Sequence, residues 1–125
     1  MPYRGLAVSK PVFVAKTAAY SVLPEDDGKT FTTRGASSGT VTFTLPAVSR
    51  IAAGWSARFF AIGAAAMKIA SEADKMVTFN DADADAIQIG TGSEIIGAGV
   101  NVEFDGTSFL VWLSTEETQT VTVTT

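Results

Sequence analysis

Residues 41–45 read Val-Thr-Phe-Thr-Leu, a run in which apolar and hydroxyl side chains alternate strictly. Successive side chains of a β-strand point to opposite faces, so Val41, Phe43 and Leu45 share one face and the two threonines share the other. β-Branched and aromatic residues also suit a pleated, half-buried surface. The stretch therefore predicts a β-strand with one face in the core.

Comparable runs lie on both sides of this stretch. Residues 29–34 (KTFTTR), 99–104 (GVNVEF) and 118–124 (TQTVTVT) repeat the alternation, and each predicts a half-buried strand. Residues 109–113 (FLVWL) are apolar without interruption. This run predicts a central strand covered on both faces, with Trp112 in the core.

The segments between these runs have turn chemistry. Ser37-Ser38-Gly39 separates residues 29–34 from residues 41–45, and we expect those two strands to form a hairpin. Asp105-Gly106 separates residues 99–104 from residues 109–113, and Asp-Gly is among the strongest hairpin signals.

The middle of the chain is harder to interpret. Residues 55–62 (WSARFFAI) fit either a strand or an amphipathic helix, and we favour a strand because Gly54 and Gly63 bound the run at strand length. Residues 64–73 contain helix formers and could form a short helix.

Several short strands separated by turns predict an all-β protein, an antiparallel β-sandwich or a barrel-like domain. The length of 125 residues corresponds to a single folded domain. We assign residues 19–125 to this domain and residues 1–18 to an extended N-terminal arm, because Pro2 and Pro11 disfavour helix at the residues before them.

Composition excludes several functions. The chain has no cysteine and no histidine, so disulfides, zinc centres and His-based catalysis are ruled out. The net charge of −4 does not favour nucleic acid as a partner. The longest apolar stretch, residues 51–67, contains Arg58 and is too short for a membrane helix, and no signal peptide is visible. We expect no cofactor, no enzymatic activity and no membrane association.

Charge is distributed unevenly along the chain. The first acidic residue is Glu25, so residues 1–24 carry +3, from Arg4, Lys10 and Lys16, and the remainder carries −7. Charged residues make up 18% of the chain, against roughly 25% in typical soluble domains. A surface with few charges is typical of one that partners cover. The N-terminal region is interpreted in two ways: as the first edge strand of the domain, or as an arm that lies on a neighbouring subunit.

One acidic stretch is a weak candidate for a cation site. In an extended segment, Asp81, Asp83 and Asp85 would share one side, as oxygen ligands of calcium do. The match to a calcium-binding loop fails at Ala86, where glycine is required, and at Gly92, where glutamate is required. The alternative is a solvated acidic loop without a metal.

Residues 20–46 (YSVLPEDDGKTFTTRGASSGTVTFTLP) resemble a pattern found in small structural proteins of tailed bacteriophages. The pattern continues through a Gly-aromatic strand at Gly54-Trp55, an acidic strand at residues 85–87, and a hairpin that ends at Ser114. The resemblance covers roughly residues 20–114. It implies a head decoration (cement) protein or a domain of a head or tail fibre, and a single domain with an N-terminal arm suits decoration better.

The resemblance implies a homotrimer on the outer surface of the virion, bound to the major capsid protein at subunit junctions and stabilising the shell. On this hypothesis the N-terminal arm contacts the shell through apolar burial and charge. The alternative is a fibre or adsorption module that binds a host-surface glycan. The candidate contact residues of the arm are Tyr3, Arg4, Leu6, Val8, Lys10, Val12, Phe13 and Lys16.

Overall fold

The computed structural model describes residues 11–90, 95–116 and 118–125. In this part of the chain, twelve strands form a seven-stranded sheet and a five-stranded sheet that pack face to face around a common core. The all-β prediction is confirmed, and of the two architectures that the sequence left open, the structure has the β-sandwich.

In chain order the strands are β1 (Phe13–Ala15), β2 (Tyr20–Ser21), β3 (Thr30–Thr32), β4 (Thr40–Thr44), β5 (Ser56–Phe60), β6 (Ala66–Ala70), β7 (Met76–Thr78), β8 (Asp81–Ala84), β9 (Ala86–Ile89), β10 (Gly99–Phe104), β11 (Phe109–Ser114) and β12 (Val121–Thr124). Two short 3₁₀ helices span Pro24–Asp26 and Val48–Arg50. The strand order is β1-β3-β5-β10-β11-β7-β8 in the larger sheet and β12-β9-β6-β4-β2 in the smaller one.

The first six strands alternate between the two sheets. Consecutive strands therefore lie in opposite sheets, and strands two apart in the chain are neighbours. These neighbours are parallel: β1, β3 and β5 in one sheet, and β2, β4 and β6 in the other. β5, β10 and β11 pair antiparallel, as do β6, β9 and β12. Both sheets are therefore mixed, and the prediction of an antiparallel sandwich is wrong in this respect, because an alternating sequence pattern carries no information about strand direction.

The predicted hairpin between residues 29–34 and 41–45 is wrong. β3 and β4 lie in different sheets, and the Ser37-Ser38-Gly39 segment carries the chain across the sandwich. Phe31 and Phe43 meet in the core instead, with ring centroids 5.6 Å apart. An apolar face can be covered by a strand in the opposite sheet as well as by a strand beside it, so the alternation predicts both strands but not their pairing.

The Asp105-Gly106 hairpin is confirmed. β10 and β11 pair antiparallel from Gly99↔Ser114 to Phe104↔Phe109. The Asp105 carboxylate accepts 2.8 Å hydrogen bonds from the backbone amides of Thr107 and Ser108, and Gly106 has a φ of 101°. The side chain of Asp105 thus closes the turn locally, as Asp commonly does in turns.

The middle of the chain is extended throughout. The strand predicted over residues 55–62 is confirmed as β5, whereas the short helix considered for residues 64–73 is wrong, because this segment forms β6. Met67 and Ile69 are fully buried, and Lys68 between them lies on the opposite face. Pairing with β4 and β9 on either side outweighs the helix propensity of the alanines.

The core contains two aromatic groups. Phe31, Phe43 and Phe59 lie with their ring centroids 5.0–5.6 Å apart. The rings of Trp55 and Phe109 meet edge to face at 6.1 Å, and Phe104 packs on Phe109 at 5.2 Å. Such pairs contribute about 0.5–1.5 kcal/mol each beyond the area they bury. These rings tie strands of both sheets into one core.

Candidate partner-binding surface

β1 brings part of the predicted N-terminal arm into the folded domain. It forms one edge of the seven-stranded sheet, where the Thr30 amide donates a 2.8 Å hydrogen bond to the Val12 carbonyl and the Lys16 amide donates a 2.9 Å hydrogen bond to the Thr32 carbonyl. The edge-strand interpretation therefore describes Phe13–Ala15.

The predicted contact residues fall into three groups. Val12 is 52% exposed and Phe13 is 68% exposed, so both side chains are open to a partner. Lys16 packs on its own chain, with Nζ 3.9 Å from the centre of the Tyr20 ring. Tyr3, Arg4, Leu6, Val8 and Lys10 lie outside the described residues.

A buried carboxylate fixes the chain behind β1. Asp26 is only 2% exposed, and its Oδ2 accepts hydrogen bonds from the Tyr20 hydroxyl at 2.7 Å and from the Leu23 amide at 2.9 Å. Oδ1 of Asp26 lies 2.7 Å from Nζ of Lys29, an ion pair that is also a hydrogen bond. Together with the contact of Lys16 on Tyr20, these interactions hold the segment from β1 to β3 in place.

The same contacts shift two pKa values. Burial of the Asp26 carboxyl opposes ionisation, but hydrogen bonds from Lys29, Leu23 and Tyr20 outweigh it and lower the pKa of Asp26 below its usual value. The hydrogen bond to Asp26, with burial and the negative charge of that carboxylate, raises the pKa of Tyr20 to about 12. The site therefore favours an ionised Asp26 beside a neutral Tyr20.

A groove of about 560 Å³ lies on the outer face of the seven-stranded sheet, near the β1 edge; we call it the outer groove. Thr30 and Thr32 lie beneath it and are 8% and 7% exposed. Phe13 from β1 and Phe60 from β5 line it on either side of β3, and Phe60 is itself 43% exposed. β1 and β5 are separated by two strand spacings, roughly 10 Å, so the groove is about as wide as one inserted side chain or extended segment.

The outer groove is basic in an acidic protein. Arg34 and Arg58 line it and both are exposed, whereas none of the described lining residues is acidic. The sequence interpretation did not single out Arg34, Arg58 or Phe60. The alternation in β5 could have indicated two of them, because Ser56, Arg58 and Phe60 share the face opposite the buried Ala57 and Phe59.

An exposed turn lies at the other end of the same sheet. Phe79 and Asn80 connect β7 to β8, and we call them the Phe79 turn. Their φ values are 43° and 61°, in the left-handed region that two-residue hairpin turns require at both positions. Asn tolerates this region, whereas Phe rarely adopts it. The Phe79 side chain is 56% exposed, so it projects from the protein.

Trp112 lies beside this turn rather than in the core, which corrects the sequence prediction. It is 50% exposed on the outer face of β11, and with Leu110 and Phe79 it lines a second cavity of about 500 Å³. β11 is internal in its sheet, as predicted, but only its inner face is covered. A continuous apolar run does not reveal whether a second layer covers its outer face.

Trp55 is a core residue. It is 4% exposed, and its indole Nε1 donates a 2.9 Å hydrogen bond to the Pro24 carbonyl. The polar atom of a buried indole is thus satisfied, as buried tryptophans generally require. Trp112, unlike Trp55, is half exposed to solvent.

The three aspartates of the acidic stretch do not form a metal site among the described residues. Asp81 and Asp83 lie in β8, and Asp85 follows that strand. Oδ1 of Asp81 accepts a 2.9 Å hydrogen bond from the Asp83 amide, and Oδ1 of Asp85 accepts one of 2.7 Å from the Asp74 amide. Two of the carboxylates therefore accept hydrogen bonds from backbone amides of their own chain.

Within residues 11–90, 95–116 and 118–125, no helix has the length and apolar character needed to cross a membrane. Comparisons with protein-family models, with curated proteins and with solved structures found no match to this chain.

Proposed function

We propose that the chain is a non-enzymatic structural protein of a tailed-phage virion, a decoration protein that binds the outer surface of the head and stabilises the shell. The resemblance of residues 20–114 to such proteins motivates the proposal. One structural observation supports it: β1 is an edge strand, Val12 directly before it is 52% exposed, and the basic N-terminal segment (residues 1–12) precedes it in the chain.

The proposed mechanism is mechanical. The sandwich caps a junction between copies of the major capsid protein, and residues 1–12 lie along the shell. Apolar side chains of this segment would contribute about 25 cal/mol per Å² buried, before the cost of ordering the segment. Arg4 and Lys10 would pair with acidic shell residues and fix the register. A homotrimer would hold three such segments, so its attachment gains from multivalency.

The fold offers a firm connection between this segment and the body. β1 is hydrogen-bonded to β3, and Lys16 packs on Tyr20, whose hydroxyl is bound to the buried Asp26. A pull on the N-terminal segment would therefore act on the sandwich core rather than on a loose linker. This is what reinforcement of a shell under internal pressure requires.

Deletion of residues 2–10 tests the proposal. It leaves β1 and the Lys16 contact in place, so the thermal unfolding midpoint should stay near that of the full chain. Attachment to purified heads that lack the protein, measured by co-sedimentation, should fall at least about tenfold. A matched control is Lys75→Glu, a charge reversal on the body that should leave attachment unchanged. Undiminished attachment of the truncated chain would refute the proposed role of the segment.

A second candidate function is adsorption to a host-surface glycan, and the exposure of Trp112 favours it. An open indole ring is a suitable surface for stacking on a sugar. On this alternative the chain binds host cells or their purified glycans, Trp112→Ala abolishes that binding, and heads without the protein do not capture the chain. The decoration proposal expects no binding to host glycans. It expects capture of the chain by heads that lack it, and no effect of Trp112→Ala on that capture.

A further inference from the structure

We propose that copies of this chain associate head to tail, with the Phe79 turn of one copy inserted into the outer groove of the next. The interface is between copies and needs no shell, so it goes beyond the decoration function. The outer groove and the Phe79 turn match in size and in apolar character, and their charges are opposite.

The inserted element is the Phe79 turn. A residue at positive φ is ordinarily Gly, Asn or Asp, and a bulky side chain there is strained. Phe79 has a φ of 43°, and the residue is 56% exposed, so more than half of its surface is not used in packing. Strain that the surrounding core does not use is an indication of function. Contact with a second molecule would bury this exposed ring.

The receiving element is the outer groove. Phe13 and Phe60 supply apolar walls, and both rings are exposed in a single copy. The groove is about 560 Å³ in volume, which is large enough for an aromatic side chain and part of the backbone that carries it. An aromatic ring placed between two others would add ring contacts of the kind found in the core.

Charge is complementary across the two elements. Asp81 and Asp83 follow the Phe79 turn along β8, and Asp83 is exposed. Arg34 and Arg58 line the outer groove without a described acidic neighbour in its lining. In a chain with a net charge of −4, such a groove selects acidic segments, and the strand after the Phe79 turn is one.

The strand order excludes contact of these elements within one molecule and suits contact between two. β1 and β8 are the opposite edges of the seven-stranded sheet, six strand spacings or roughly 29 Å apart. A contact between opposite edges is heterologous: it uses two different patches on each copy. Such contacts form a ring if the rotation between copies closes, and a filament if it does not.

The test uses the purified full-length chain in the absence of heads, followed by sedimentation velocity over a range of concentrations. Wild-type protein should self-associate, and Phe79→Asn should weaken association at least about tenfold. Asn relieves the strained φ, so this variant should remain folded. Ile96→Asn, which removes another exposed apolar side chain (59% exposed), should associate like the wild type.

A charge exchange identifies the two surfaces. Arg58→Glu and Asp83→Arg should each self-associate more weakly than the wild type when alone, because like charges then face each other. Their mixture should associate again, since each reversed surface meets its opposite. Arg50→Glu, outside the groove, is the control. The inference would be overturned by a monomeric wild type or by association that Phe79→Asn does not weaken. It would also be overturned if the mixture associated no more strongly than either variant alone. Attachment of the truncated chain to heads is measured in a separate experiment, so a failure of this inference and a failure of the decoration proposal can be distinguished.

Discussion

The hydroxyl of Tyr20 donates a 2.7 Å hydrogen bond to Oδ2 of Asp26, a carboxylate with only 2% of its surface exposed. Tyr20 opens β2 in the five-stranded sheet, and Lys29, the other side-chain partner of Asp26, immediately precedes β3 in the seven-stranded sheet. The carboxylate thus holds the crossing of the chain between the two sheets. Because β1 lies against β3, the same contact supports the edge from which the N-terminal segment leaves.

Tyr20→Phe should destabilise the protein by about 1.5–3 kcal/mol, the usual contribution of a hydrogen bond to a charged group. The ring is retained and still packs on Phe31, at 5.4 Å between centroids, so the change isolates the hydroxyl. Urea unfolding at neutral pH measures the difference in free energy. A loss below about 0.5 kcal/mol, the range of an ordinary surface substitution, would show that Asp26 does not depend on this partner.

The pKa shifts of this pair predict loss of stability at both extremes of pH. Asp26 has a pKa below its ordinary value of 3.8, so its contribution is present above that pH and is lost as the pH falls through and below it. Tyr20 has a pKa raised from 10.0 to about 12, so its contribution is present below pH 10 and is lost between these two values.

Urea unfolding as a function of pH checks both limbs, with two variants as controls. Asp26→Asn should flatten the acid limb, and Tyr20→Phe should flatten the alkaline limb. An alkaline limb that persists unchanged in Tyr20→Phe would assign the loss to other groups.

Gly63→Ala should be strongly destabilising, by more than about 3 kcal/mol or to the point of misfolding. A Cβ at this position would lie 2.0 Å from the Ala36 carbonyl oxygen and 2.6 Å from that of Thr33, both backbone atoms that cannot move aside. Gly99→Ala is the matched control, because the nearest atom to its Cβ is 3.6 Å away. Thermal unfolding should separate the two variants clearly, and equal midpoints would contradict the close approach of these segments.

The two tryptophans should respond oppositely to truncation. Trp55→Ala should cost about 3–5 kcal/mol, because it empties a core position and leaves the Pro24 carbonyl without its hydrogen bond. Trp112→Ala should cost less than about 1 kcal/mol, since half of its surface is already in water. Chemical unfolding of both variants measures the contrast. A large loss of stability for Trp112→Ala would indicate that Trp112 is buried in the core.

The sequence predicted the strands better than their arrangement. Alternation located β3, β4, β10 and β12, the bounding glycines indicated β5, and Asp105-Gly106 identified the hairpin between β10 and β11. The crossing from β3 to β4 was not predictable in this way, because Phe31 and Phe43 can bury each other across a sandwich as readily as side by side.

The candidate surface was predictable only in part. The exposed positions of Val12 and Phe13 agree with a contact role, but Arg58 and Phe60 become a groove only when β1 and β3 are placed beside β5. The exposure of Trp112 was not predictable either, because hydrophobicity indicates a strand but does not reveal whether a second layer covers its outer face.

The decoration proposal rests on attachment to a phage head through the N-terminal segment. Its most direct test is saturation binding of the full chain to purified heads that lack it, with bound copies counted by quantitative gel analysis of sedimented particles. We expect saturation at a fixed ratio to the shell subunits, and loss of binding on deletion of residues 2–10. No binding, or a few copies per particle confined to the tail, would contradict it.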